Sequence, residues 1–197
     1  MNLFLEGPRR LGKSTILRNA LLPYSQHVAG MLTQRLFAGE SLCGFRACVV
    51  AGESLPPLEV PYCQGMEGVF LYNGQPSPRA LEDALIRAKE ACSRSACRLI
   101  LLDEIGGMEL ASPAFRACLE DIFRLGKPCL GTLKSRENLL HMGSRAGGAQ
   151  ADLLRLNEEL RRRMQAEGQV LSLSQSSLAE AGRAVESFVA AALERAC

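Results

Sequence analysis

The chain has 197 residues, 22% of them charged and 47% apolar, with no Trp. That length holds one medium domain with a full core, so a single domain over residues 1–197 is the expectation. Lysine and arginine outnumber aspartate and glutamate by only 23 to 21, which gives no support for nucleic acid as a partner.

The start, Met1-Asn2-Leu3-Phe4-Leu5-Glu6, lacks a basic region, and its apolar run is too short for a secretory signal. No apolar run approaches a membrane span, so a cytoplasmic protein without a membrane partner is expected. Leu3-Phe4-Leu5 reads as a strand that leads into Gly7-Pro8-Arg9-Arg10-Leu11-Gly12-Lys13-Ser14-Thr15. Gly7, four residues, then Gly12-Lys13-Ser14 is the spacing of a phosphate-binding loop, set between a strand and a helix as that motif requires. The two glycines reach backbone conformations closed to other residues, so successive N–H groups turn inward beside the positive end of a helix. Lys13 then reaches β- and γ-phosphate oxygens, and the Ser14 hydroxyl ligates Mg²⁺. Residues 7–15 are therefore the expected nucleotide-binding segment. Arg9 and Arg10 either add charge where the γ-phosphate must be met or lie solvated.

Ser14 to Leu22 reads as a helix ended by Pro23. Val28–Thr33 and Gly44–Ala51 are predicted strands joined through residues 37–41 as a hairpin. Pro56, Pro57 and Pro61 break the next stretch into a loop with a short edge strand, and Val69–Tyr72 adds another strand. Ser77-Pro78 starts a helix reaching about Cys92, with the Ser77 hydroxyl as cap. Arg98 to Glu104 is apolar up to two closing carboxylates, the pattern of a strand covered on both faces. Ser112-Pro113 caps the following helix, with Phe115, Leu119, Ile122 and Phe123 as its buried stripe. Lys127–Leu133 is the next strand. Residues 134–150 lack a period and read as a mobile loop with at most one helical turn. Ala151–Glu167, Gln169–Leu173 and Ser177–Arg195 close the chain as helix, strand and helix. Within them Arg161-Arg162-Arg163, beside Glu158 and Glu159, is expected to be a solvated helix face. Alternation of strand and helix predicts an α/β fold with a mostly parallel sheet and an antiparallel hairpin at one edge.

Asp103-Glu104 is the natural partner of the loop, because ligands of open parallel sheets sit beyond the carboxyl ends of strands. Asp103 is placed to hold Mg²⁺ through water. Glu104 is placed to orient or deprotonate the water that attacks the γ-phosphate. Lys13 and Glu104 are the expected catalytic residues, and Ser14 and Asp103 the metal-holding ones. Glu109 either orients water or a neighbouring Arg, or sits at a helix N-terminus. Arg9, Arg10, Arg35, Arg79, Arg136 and Arg145 are all candidates for a transition-state arginine, while His27 and His141 have no telling partner. The eight cysteines (43, 48, 63, 92, 97, 118, 129 and 197) show no C-x-x-C spacing and are expected as reduced, packed thiols.

Leu101-Leu102-Asp103-Glu104-Ile105-Gly106-Gly107-Met108-Glu109-Leu110, Leu130-Gly131-Thr132, Gly30-Met31-Leu32-Thr33 and Gly44-Phe45-Arg46 together resemble the small nucleoside-triphosphatase family that includes the thermophile enzymes and the cancer-related nucleoside-triphosphatase. The resemblance implies a P-loop fold close to the RecA-like group, in three layers, and Mg²⁺-dependent hydrolysis of nucleoside 5′-triphosphates with loose base selectivity. This chain departs from the family's pattern at Gln34-Arg35, at Gly107, at Arg9-Arg10-Leu11 and at Ser174-Gln175-Ser176-Ser177. Two other readings share the same residues. One is a small phosphotransferase with 134–150 as its lid; the other is a slow nucleotide-dependent binding module.

Overall fold

The computed structural model describes residues 1–142 and 149–194. Arg145, Gly147, Gly148, Arg195 and Cys197 lie outside the described residues, as does the side chain of His141. Among the described residues nine strands form one sheet: β1 (Asn2–Glu6), β2 (Val28–Ala38), β3 (Ser41–Ala51), β4 (Glu59–Pro61), β5 (Val69–Tyr72), β6 (Gln75–Pro76), β7 (Leu99–Ile105), β8 (Cys129–Leu133) and β9 (Gly168–Ser172). The order is β6-β5-β3-β2-β7-β8-β1-β9, with β4 pairing the far half of β2. Strands β2, β7, β8, β1 and β9 are parallel neighbours. β3, β5 and β6 extend the sheet antiparallel, so that edge is broader than the hairpin alone. The hairpin strands run to Ala38 and from Ser41, which shortens the turn to Gly39-Glu40.

Helices cover both faces: α1 (Lys13–Leu21), α2 (Pro78–Ser93), α3 (Pro113–Arg124), α4 (Arg136–Met142), α5 (Ala149–Glu167) and α6 (Leu178–Glu194). Period and strand alternation dictate the two core layers. Leu3, Leu5, Leu99 and Leu101 face α1 and α6 through Leu17, Leu21, Val185 and Val189. Phe4, Ile100 and Leu102 face the other way, onto Leu85, Phe115, Leu119 and Met164. The second layer also takes the buried thiols of Cys92, Cys97, Cys118 and Cys129. The described cysteines are free, with Cys63 exposed and Cys43 and Cys48 half-buried. Among the described residues no helix is long and apolar enough to cross a membrane.

Local expectations differ at four places. α1 ends at Leu21, and Pro23 lies in the first turn of a 3₁₀ segment, Leu22–His27, a position that needs no N–H donor. The Ser77 side chain makes no cap bond, whereas Ser112 accepts from the Phe115 amide at 3.2 Å. Residues 136–142, read as loop, form α4.

The fourth concerns the arginine run. Arg162 is the solvated one, paired with Glu158 one turn back. Arg163 pairs with Glu120 and Glu167 and lies over the Phe123 ring. Arg161 reaches out of the helix to Glu6 at the end of β1, Nε and Nη2 each donating at 2.9 Å to one carboxylate oxygen, while Ser172 donates at 2.6 Å. Chiefly through the Arg161 bonds, and against the effect of burial, the Glu6 carboxyl is held below the usual carboxylate range. A depressed folded-state pKa stabilises above the unfolded value, ~4.3, and that contribution is lost as pH falls through the folded value. Arg161→Ala is therefore expected to cost about 1 to 2 kcal/mol at pH 7, since the pair is only partly exposed to solvent. In urea unfolding the deficit should shrink below about pH 4 as Glu6 protonates in both proteins.

Candidate active site

The phosphate loop leaves β1 at Gly7, whose φ of 141° lies outside the range of side-chain-bearing residues. A Cβ there would stand 2.7 Å from the Leu173 carbonyl oxygen. Gly12 adopts φ 86° at the head of α1, and Ile16 N–H donates to its carbonyl at 3.0 Å as the first helical bond. The first-turn amides of α1 thus face the loop, with no acidic side chain among them. The Lys13 ammonium bends back to donate to the Gly7 and Pro8 carbonyls at 2.9 and 2.7 Å. Burial lowers its pKa, against the opposing charges of Glu104 and Asp103.

Strand β8 lies between β1 and β7, and Thr132 at its end ties the halves of the site together. Its hydroxyl donates to Asp103 Oδ1 at 2.8 Å and accepts from the Glu104 amide at 2.7 Å. Ser14 of α1 donates to the same Asp103 oxygen at 3.0 Å, and the Thr33 amide of β2 donates to Oδ2 at 3.2 Å. Asp103 is fully buried. Burial first, and the Glu104 charge second, push its pKa up to about 6 in spite of the bonds from Thr132, Thr33 and Ser14. A buried carboxylate so destabilised, beside a hydroxyl, suits a divalent cation, which removes the penalty on its charged form. Among the described residues no group of three or more His, Cys, Asp or Glu could hold a metal. The Ser14 hydroxyl and the Asp103 carboxylate are oxygen donors of the kind suited to an ion that keeps part of its hydration and takes further oxygens from phosphate.

Glu104 adopts φ 59°, a costly conformation for a residue with a side chain, of the kind held in place at functional sites. Its side chain enters a cleft of roughly 500 Å³ shared with Arg9, Lys13, Ser14, Thr33 and Thr132, a volume within the range of ligand pockets.

The family model described as NTPase matches residues 2–167 of the chain. The chain belongs to the NTPase family. It is similar to the nucleoside-triphosphatase THEP1 of Thermotoga maritima, 29% identical over 144 residues, which cover 68% of this chain and 74% of that protein. The Thermotoga petrophila counterpart is 30% identical over 138 residues, 68% of this chain and 72% of that one. Among solved structures, a human cancer-related nucleoside triphosphatase superposes with a TM-score of 0.61 at 21% identity, over 96% of each chain. THEP1 from Aquifex aeolicus superposes with a TM-score of 0.58 at 18% identity, covering 96% of this chain and 99% of that one. These two likenesses establish the P-loop fold expected from the sequence.

The structure brings residues 9–15, Asp103 and Glu104 together, with Gly7 and Pro8 joined through the Lys13 bonds. Of the candidate arginines, Arg9, Arg10 and Arg35 line the cleft, and Arg35 is bonded to Glu59 at 2.8 Å. Arg79 and Arg136 are exposed and do not line it. Glu109 sits in the first turn of a 3₁₀ helix, Met108–Ala111, and the cation it pairs with is a lysine, not an arginine. It is buried, accepts from the Gly107 amide at 2.6 Å, and stands 3.8 Å from the Lys134 ammonium. Three contributors escaped sequence reading. Asn138 of α4 donates to the Gly7 carbonyl at 3.1 Å, and the buried Asn157 of α5 donates to the carbonyls of Gly106 and Lys134 at 2.8 and 3.1 Å. Lys134 itself lines the cleft. The signal for Lys134 was its place directly after a parallel strand, on the edge where ligands bind.

Proposed function

We propose that the chain hydrolyses nucleoside 5′-triphosphates to diphosphate and phosphate in a Mg²⁺-dependent reaction at this cleft. One observation carries the reading: Ser14 of the phosphate loop is bonded to Asp103, while the next residue, Glu104, is turned into the cleft that also holds Lys13. The loop amides and Lys13 bind and orient the β- and γ-phosphates. Ser14 and Asp103 would hold Mg²⁺, which when bound would supply neutralisation of the phosphate charge. Glu104 takes the proton of the attacking water, and its backbone, pinned by Thr132, fixes the direction from which that water comes. Loose base selectivity fits the segment after β9, where the Ser174, Ser176 and Ser177 hydroxyls are spent on one another and on the Ser174 carbonyl.

A panel of ribo- and deoxynucleoside triphosphates with Mg²⁺ and no added acceptor tests this. Phosphate release is expected from several bases, falling to background with EDTA. A phosphotransferase reading draws on one observation: the same cleft is also lined by the apolar side chains of Phe45, Phe70 and Leu81, on which an acceptor could pack. Release that requires an added acceptor would favour that reading over hydrolysis.

A further inference from the structure

We propose that Lys134 is a second substrate-contacting cation of this cleft, meeting the terminal phosphate from the side of β7 and β8. The proposal rests on the hydrolase reading for its catalytic half and on nucleotide binding alone for the rest. Lys134 is the first residue past β8. Its amide donates to the Ile105 carbonyl at 2.9 Å, and its own carbonyl accepts from Asn157. The backbone is therefore held by the end of β7 on one side and by α5 on the other, and the side chain starts from a fixed point on the cleft that Glu104 and Thr132 also line.

The path of that side chain is unusual. It crosses directly over Gly107: a Cβ at that position would stand 2.5 Å from Lys134 Nζ and 2.8 Å from its Cδ. Glycine at 107 makes room for the ammonium of a side chain that is 15% exposed on the cleft wall. Its counter-charge is Glu109, 2% exposed, at 3.8 Å. That separation is an ion pair without a hydrogen bond, and Glu109 already accepts from the Gly107 amide. Among the described residues no hydrogen bond holds the ammonium. Its three N–H donors are thus left for a ligand. Glu109 holds the lysine near the cleft without saturating its donors.

Sheet order says which ligand atoms these donors meet. The phosphate loop follows β1, and β8 and β7 lie next to it in that order, so a triphosphate threaded from the loop toward Asp103-Glu104 brings its last phosphate to the β7–β8 ends. Lys13 approaches from the loop, Lys134 from the opposite flank. A diphosphate, one group shorter, fills the loop without reaching Lys134. The lysine should therefore discriminate triphosphate from diphosphate in binding and stabilise charge on the transferring group in the reaction.

The test measures affinities of the whole chain, with Mg²⁺, for a β,γ-imido nucleoside triphosphate and for the diphosphate, alongside phosphate release. Lys134→Met keeps the stem and removes the charge. It is expected to leave diphosphate affinity near the wild-type value, reduce the triphosphate-to-diphosphate affinity ratio about tenfold, and lower phosphate release about 100-fold. Lys134→Arg should recover much of the ratio. Gly107→Ala, whose Cβ would displace both the Lys134 ammonium and Glu109 Oε2 (2.7 Å) without removing either charge, should shift the ratio in the same direction as Lys134→Met. A wild-type ratio in Lys134→Met, or in Gly107→Ala if the first variant does not fold, overturns the proposal and reduces Lys134 to the ion-pair partner of Glu109. Absence of phosphate release from the wild type would instead defeat the hydrolase reading, with the affinity ratio still deciding the role of Lys134.

Discussion

Glu104→Gln is expected to slow phosphate release by about 10²- to 10³-fold while nucleotide still binds. The amide has the same shape, so the φ 59° backbone and the Thr132 bond to the residue-104 amide have no reason to change. What is lost is the proton acceptor on the cleft side of Asp103. Binding should hold or improve for an electrostatic reason. The Glu104 charge is one cause of the raised Asp103 pKa, so neutralising it lets Asp103 ionise more readily beside a divalent cation. Parallel measurement of turnover and of nucleotide affinity separates the two effects. Unchanged turnover with intact binding would remove Glu104 from water activation and favour a slow nucleotide-binding module.

Lys13→Ala should cut protection by Mg-ATP to about half of the wild-type value or less. For a ligand at about one hundred times its Kd, binding stabilises the folded state by ~2.7 kcal/mol, which in a protein of this size raises Tm by roughly 5 to 10 °C. The ammonium lies between the loop carbonyls and the carboxylates of β7, and loss of a charge-assisted contact to phosphate lowers affinity by one to two orders of magnitude or more. The fold itself should survive, because the bonds given up are to carbonyls at the cleft mouth, where solvent replaces them. Differential scanning fluorimetry with and without Mg-ATP reads this directly. Full protection in the variant would mean that the ligand binds elsewhere.

The parts of the site that were legible in the sequence are those whose chemistry is contiguous. Gly7 to Thr15 carries its spacing within one loop, and Asp103-Glu104 announces itself by ending an apolar strand. Both identify a binding edge because parallel strands deliver their carboxyl ends to the same side. Thr132 was visible only as a strand end; its double bond to Asp103 and to the Glu104 amide depends on β8 being inserted between β1 and β7, which no local pattern states. Asn138 and Asn157 act across 131 and 51 positions respectively, on helices whose polar faces look like any solvated face. Arg161 shows the same limit. Helical period offered Glu158 and Glu159 as partners, whereas the carboxylate it serves is 155 residues away. α4 was missed because seven residues are too few to display a period.

Hydrolysis at the γ-phosphorus is tested most directly by running the reaction in ¹⁸O-labelled water with Mg²⁺, a nucleoside triphosphate and no acceptor. With Glu104 activating water against a triphosphate held by the loop amides and Lys13, the released inorganic phosphate should carry the label and the nucleoside diphosphate should carry none. Label in the diphosphate, or no phosphate released until an acceptor is added, would contradict it.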